Sequence, residues 1–339
     1  MTQIRDSYNN FVSQFPLEVY PSTSKDSKEF KDQLSHRRFS LRSSGNNEKG
    51  LAGKVNLGVY SLSPLSFNES VLVSLDPVSL ADMLILANKT HSNLPLAKPS
   101  TEEDLKDNPI SISILSHYSS PEGDLPMLIE DEQNNQEKKI KRKVRSCTVI
   151  EEFNLANVTD IKEMMFIKAI NNKLYDFFFA SIFQNAEIIR KVYTMHSPLE
   201  NIPDSSLLDK LTLQSTLSQL SARNQFSLRY PTISAHCSGT VTSYLKPGYF
   251  KQSLEEEIGN AYIDGFAELS YLTKYYSELG TKFFFTDAKT GGPSLFDLKL
   301  ASFVYCILEL SGDCEAFAQV KPEAVKLGGY VEDVLGTFF

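Results

Sequence analysis

The chain has 339 residues, of which 41% are hydrophobic and 22% charged, and its formal net charge is −8. At roughly 150 residues per domain, that length suits two domains with true apolar cores. The acidic balance argues against a general nucleic-acid binder, which needs basic surface to neutralise phosphates. No run of 18 apolar residues occurs, so a membrane-spanning helix is not expected. Met1 to Phe15 has neither the apolar block of a signal peptide nor the Arg-rich character of a mitochondrial presequence. Any membrane association is therefore expected to be peripheral or through a partner. Cys147, Cys237, Cys306 and Cys314 form no CxxC pair and read as reduced, buried thiols.

Residues 1–50 read as a mostly irregular N-terminal extension. One apolar island interrupts it, containing Phe11, Phe15, Pro16, Leu17, Val19 and Tyr20. Such an island docks either on its own domain or on a partner. Residues 51–156 read as a small α/β domain. Val55, Leu57 and Val59 alternate, so Lys54 to Leu62 is expected to be a strand. A loop follows, and then a helix starts at Asp76 (a cap) and Pro77 (suited to the first turn). Ile110 to Tyr118 alternates again. Ser119 to Asp124 is turn chemistry, and Leu125 to Glu130 is a third strand opening at Pro126. Leu125-Pro126 is a candidate cis peptide. The charged stretch Asp131 to Lys143 is expected to be a hairpin tip, with a returning strand over Val144 to Thr148 and a helix to Leu155. The order β-α-β-β-β-α is that of a thioredoxin-type domain.

Residues 157–339 read as all-helical. Val158 to Tyr193 keeps the 3–4 residue apolar rhythm of one long helix. Ser205 to Asn224 and Leu254 to Leu279 are further helices, with residues 226–250 as loop between them. The sharpest helix start is Pro293-Ser294-Leu295-Phe296-Asp297. Ser294 suits the cap, and Asp297 suits the reciprocal bond back to its backbone N–H.

Lys138, Lys139, Lys141, Arg142, Lys143 and Arg145 place six cations in eight positions. They fit a solvated hairpin tip offset by Glu130, Asp131, Glu132 and Glu137, or a contact with anionic lipid or an acidic partner. Catalytic templates fail: there is no GxGxxG, GxSxG or HExxH, and the five histidines lack metal-ligand spacing. No cofactor or metal is expected.

Together these pieces resemble the glutathione-transferase fold: an α/β thioredoxin-like domain followed by a helical bundle domain. In that fold a cis-proline opens a strand, here Leu125-Pro126, and a capping box stands under the helical core, here Ser294 to Asp297. More narrowly, the chain resembles the metaxins, and among them the fungal receptor-type subunits of the mitochondrial outer-membrane sorting and assembly machinery. The matching stretches are LGVYSL at 57–62, LDPVSLADMLILANKTH at 75–91, SSPEGDLPMLIE at 119–130, KVRSCTVIEEF at 143–153, KLYDFFFASIF at 173–183, ELGTKFFFTD at 278–287 and GGPSLFDLKLASFVYCIL at 291–308. FPLEVY at 15–20 and HRRFS at 36–40 resemble those subunits' N-terminal extension. The chain has no tryptophan, and Phe177 and Phe178 stand near where metaxins often carry one.

The transferase resemblance brings its own chemical test. A transferase needs Tyr, Ser or Cys near the end of the first strand to stabilise a thiolate, and Tyr60, Ser61 and Ser63 lie there. It also holds the γ-glutamyl group with an acid-Ser pair, whereas this chain reads Arg145-Ser146-Cys147 with no acid before the serine. The resemblance therefore implies a non-enzyme. It implies a peripheral protein on the cytosolic face of the mitochondrial outer membrane, bound to a barrel subunit and a second metaxin-like subunit. Its implied role is to recognise the sorting signal of β-barrel precursors and aid their insertion. The alternatives are a glutathione-dependent enzyme and a purely structural cap on the barrel subunit. Phe15, Leu17, Tyr20, Lys138, Lys139, Lys141, Arg142 and Lys143 are the expected partner or lipid contacts.

Overall fold

The computed structural model describes residues 36–43, 53–98, 109–134, 139–195, 207–239, 247–287 and 291–339. Its α/β half is built on a five-stranded sheet in the order β1-β7-β3-β8-β9. The strands are β1 (Arg38–Ser40), β3 (Gly53–Val59), β7 (Ile110–Ile114), β8 (Met127–Asn134) and β9 (Lys139–Arg145). A two-residue β2 (Arg42–Ser43) pairs with β6 (Ser92–Asn93) beside it. β3 runs parallel to β7 and antiparallel to β8. Its alternation puts Val55, Leu57 and Val59 in register with Ile110, Ile112 and Ile114, so one apolar stripe forms across the sheet. α1 (Pro77–Thr90) and α2 (Cys147–Ala156) complete this half.

Three features depart from the sequence reading here, the first being that the strand expected over Ile110 to Tyr118 ends at Ile114 and gives way to a 3-10 turn over His117–Ser119. Residues 63–73, read as loop, form a hairpin of β4 (Ser63–Leu65) and β5 (Asn68–Val73). Burial of Val71, Leu72 and Val73 stabilises it where its short alternation does not announce it. The expected tip at 131–143 is largely strand. β8 and β9 stay paired as far as Asn134 and Lys139, and acids stand opposite bases in the ladder, with Glu130 opposite Lys143 and Asp131 opposite Arg142.

The helical half starts with α3 (Ile161–Ala169), a π-turn over Ile170–Leu174, α4 (Tyr175–Ile182) and α5 (Ala186–Tyr193). The one long helix expected over 158–193 is thus broken. Asn185 ends it, because its side chain accepts from the N–H groups of Glu187 and Ile188, both at 3.1 Å, and so starts a new helix. The π-turn carries Asn171, which donates to Glu151 at 2.7 Å and accepts from Lys299 at 3.2 Å.

α6 (Leu207–Ala222) follows, then α7 (Phe226–Arg229) and α8 (Pro231–Ser238), where a loop was expected. The Glu257 carboxylate explains α8. It accepts from the backbone N–H groups of Thr232 and Ile233, two of the donors that a helix start leaves without partners. Glu257 belongs to α9 (Pro247–Leu279), a helix of 33 residues. α9 crosses α4 closely, since a Cβ on Gly265 would fall 2.2 Å from the Phe177 Cβ. Glycine is the side chain that fits this contact.

α10 (Leu295–Leu310) is the central helix and is buried nearly all round, as expected of an element packed on several sides. It lies against α1, which joins the two halves. α11 (Glu315–Lys326) and α12 (Gly328–Leu335) close the bundle over it. Its start has the full capping box, with Ser294 and Asp297 bonded reciprocally. Asp297 also accepts from the N–H groups of Phe284 and Phe285 and from the Tyr330 hydroxyl, so it fixes three separate segments.

Candidate functional site

The polar centre of the molecule lies where the helical half meets the turn before Pro126. Asp76 caps α1, its side chain accepting from the Ser79 N–H. Asp124 ends the turn, and its side chain accepts from the Leu125 N–H at 2.9 Å. The Leu125-Pro126 bond that follows is cis. Between the two carboxylates sits Arg223, whose side chain is 3% exposed. It grips Asp124 with two bonds of 2.8 Å, reaches Asp76 at 3.0 Å and donates to the Leu125 carbonyl. A planar guanidinium matches a carboxylate with such a fork, and a lysine does not.

Arg223 is aimed inward by the chain that follows α6. Asn224 and Gln225 both take left-handed conformations, at φ 53° and 59°. Non-glycine residues rarely adopt this region, so the surroundings must hold it. Arg229 does so, donating to the Asn224 carbonyl at 2.8 Å while forking onto Asp176 with two bonds of 2.6 Å.

Three tyrosines line the cluster. Tyr60 donates to Asp124 at 2.7 Å, Tyr193 to Asp76 at 3.1 Å and Tyr175 to the Leu220 carbonyl at 2.7 Å. Burial pushes the Tyr60 phenol well above its ordinary pKa, and the Asp124 charge pushes it further. Burial opposes the Arg223 charge, but Asp124 and Asp76 outweigh it and hold the guanidinium protonated.

This geometry decides what the first-strand hydroxyls do. Tyr60 is buried and its proton is committed to Asp124, so it is not poised to stabilise a thiolate. Ser61 donates to the Val192 carbonyl at 2.6 Å, and Ser63 begins β4. Ser146 precedes α2 without capping it by its side chain. Arg145, just before it, pairs with Glu130 at 3.0 Å. Cys147 is a buried thiol whose pKa is raised well above normal, chiefly by burial. All four cysteines are free and buried.

The other residues singled out from sequence lie elsewhere. Lys139, Lys141, Arg142 and Lys143 are on β9, where Arg142 forks onto Asp131 at 2.7 and 2.8 Å. Phe15, Leu17, Tyr20 and Lys138 fall outside the described residues. Sequence reading found the cap at Asp76 and the turn at Asp124 but missed Arg223. No local signal marks it, because its partners lie 147 and 99 residues away.

A second buried ionic group ties α10 to α2. Lys299 donates to Glu151 at 2.6 Å. Nearby Asp82 is held up at about 7 by burial; Glu151 raises it further, while Lys299, Lys89 and Arg223 pull it down. The neutral acid is thus favoured in the fold. In the unfolded chain Asp82 ionises near the ordinary value of about 4. Its folded pKa is raised, so stability falls as pH rises between these values and then levels off. Asp82→Asn is expected to match the wild type near pH 4 and to exceed it at pH 8. The gain is on the order of 4 kcal/mol, read from urea midpoints at the two pH values.

The class these observations define is a mixed α/β protein with a small sheet, a helical C-terminal region and a buried ionic centre filled by its own side chains. No described helix is long and apolar enough to cross a membrane. The family described as "SAM35, subunit of SAM complex" matches residues 3–130. The "Sorting assembly machinery 35 kDa subunit" of Saccharomyces cerevisiae is 24% identical over 336 residues, covering 96% of this chain and 94% of the yeast protein.

Proposed function

We propose that this chain is a non-catalytic subunit of the sorting and assembly machinery of the mitochondrial outer membrane and acts in β-barrel biogenesis. The observation that carries this reading is the end-to-end likeness to the yeast subunit, which spans 96% of the chain. In this reading the protein lies peripherally on the cytosolic face. It contacts the machinery's barrel subunit and a second metaxin-like subunit, helps recognise the sorting signal of β-barrel precursors and aids their insertion. The fold is a glutathione-transferase-like one kept for binding. Arg223 stands between Asp76 and Asp124, and Tyr60 is bonded to Asp124, so the chemistry a transferase needs there is supplanted.

A sorting signal in extended form needs an edge or a groove. Among the described residues β9 pairs with β8 alone, which leaves its outer edge for an added strand. Lys139, Lys141, Arg142 and Lys143 on that edge, with Lys138, Phe15, Leu17 and Tyr20, are the proposed partner or lipid contacts. Site-specific crosslinking from the last strand of a β-barrel precursor tests the receptor role. Adducts with this chain are expected. Adducts with the barrel subunit alone would leave a structural cap. Membership is tested separately by purification from mitochondria, where recovery without an outer-membrane barrel protein would overturn it.

A further inference from the structure

Away from Arg223, a cavity of about 190 Å³ opens inside the α/β half, between the sheet and helices α1 and α2. Val55 and Leu57 of β3, Leu128 of β8, Ile85 of α1 and Ile150 of α2 give it an apolar wall. An aliphatic cavity of about 150 Å³ is known to stay dry and accept benzene, so this one suits a guest of about six to eight apolar heavy atoms.

The mouth is polar. Phe153 stands there 53% exposed. Lys89 Nζ lies 4.9 Å and the Arg145 guanidinium carbon 5.6 Å from its ring centroid, so two cations converge on one ring. Arg145 has Glu130 as its counter-ion. Lys89 does not share this arrangement. It donates to the neutral side-chain oxygen of Asn154 at 2.7 Å, and among the described residues no carboxylate lies within ion-pair distance of it. Asp82 lines the same cavity, but its own close partner is the Asn154 amide at 3.4 Å. The arrangement is an apolar pocket with an exposed lysine charge at its lip.

We propose that this cavity binds a small aromatic or branched aliphatic group carrying a carboxylate, with the apolar part against Leu57 and Ile150 and the carboxylate on Lys89. A free acid and the C-terminal residue of a peptide share this chemistry. The proposal stands apart from membership of any membrane machine.

The test is a methyl-NMR titration of the full chain with 3-phenylpropionate, the neutral 3-phenylpropanol and the cationic 3-phenylpropylamine. Saturable shifts are expected at the methyls of Val55, Leu57, Ile85, Leu128 and Ile150. The acid should bind about tenfold more tightly than the alcohol, the preference expected from one charge-assisted hydrogen bond. The amine should bind weakest. Lys89→Met should remove the preference for the acid and leave the alcohol unchanged, which separates loss of the charge from loss of the cavity. N-acetyl-Gly-Phe against its C-terminal amide distinguishes the sources. A peptide acid that outbinds phenylpropionate points to a chain terminus, and the reverse order points to a free acid. Absence of saturable shifts at these methyls, equal affinity for acid and alcohol, or preference for the amine would each overturn the proposal.

Discussion

Replacing Arg223 with methionine is expected to lower the stability of this protein by about 3–5 kcal/mol, a large part of what a protein of this kind holds. The reason is the charge left behind rather than the bonds removed. Asp76 is 0% exposed and Asp124 8% exposed. Without the guanidinium, these carboxylates face each other's surroundings with only N–H and O–H donors for company. Replacing one partner of a buried ionic group is costly, whereas replacing the whole group with neutral side chains is often tolerated. The triple variant Arg223→Met, Asp76→Asn, Asp124→Asn should therefore recover a substantial part of the loss. Urea unfolding of wild type, single and triple variants measures this directly. A single variant within about 1 kcal/mol of wild type would show that water, not protein, solvates this centre.

The second large effect is expected at Asp297. Its carboxylate accepts from the N–H groups of Phe284 at 2.8 Å, Phe285 at 3.1 Å and Ser294 at 3.2 Å, and from the hydroxyls of Ser294 and Tyr330, both at 2.9 Å. Asp297→Ala leaves these donors in a site the side chain no longer fills. Each buried donor left without a partner costs about 1–3 kcal/mol, so a total loss of at least about 3 kcal/mol is expected. Ser294→Ala removes a conventional cap and should cost about 1 kcal/mol. Asp297→Asn keeps one acceptor oxygen and should fall between the two. Thermal unfolding of the three variants checks the order. Equal losses for Ser294→Ala and Asp297→Ala would mean that the anchoring of Phe284 and Phe285 contributes nothing.

The contrast between these two centres shows where sequence is informative. Ser294 and Asp297 are three residues apart, and their chemistry is complete within one helical turn, so the pattern alone discloses the capping box. Arg223 directly follows α6 in a turn, where a cation is usually solvated, and only the fold brings it to Asp76 and Asp124. The same reasoning accounts for the misplaced elements. The apolar rhythm of residues 158–193 runs through the break, and the bond pattern of one asparagine decides where the helix stops. Residues 226–239 carry turn-forming residues and little periodicity, yet Glu257 from a later helix supplies the donors' partner that α8 needs. Short-range chemistry was legible, and contacts that close across the chain were not.

The ionic groups at the boundary have a consequence for how the molecule is held as one piece. Arg223 of the helical half neutralises carboxylates of the α/β half, and Lys299 of the helical half pairs with Glu151 of α2. Each half thus stores the counter-ions of the other. Cut at the sequence boundary near 156, the first half would keep two acids without their arginine, and the second would expose a lysine shaped to lie in an apolar interior. Each piece is therefore expected to be less stable by itself than within the whole chain, and urea unfolding of residues 1–156 and 157–339 expressed separately checks this.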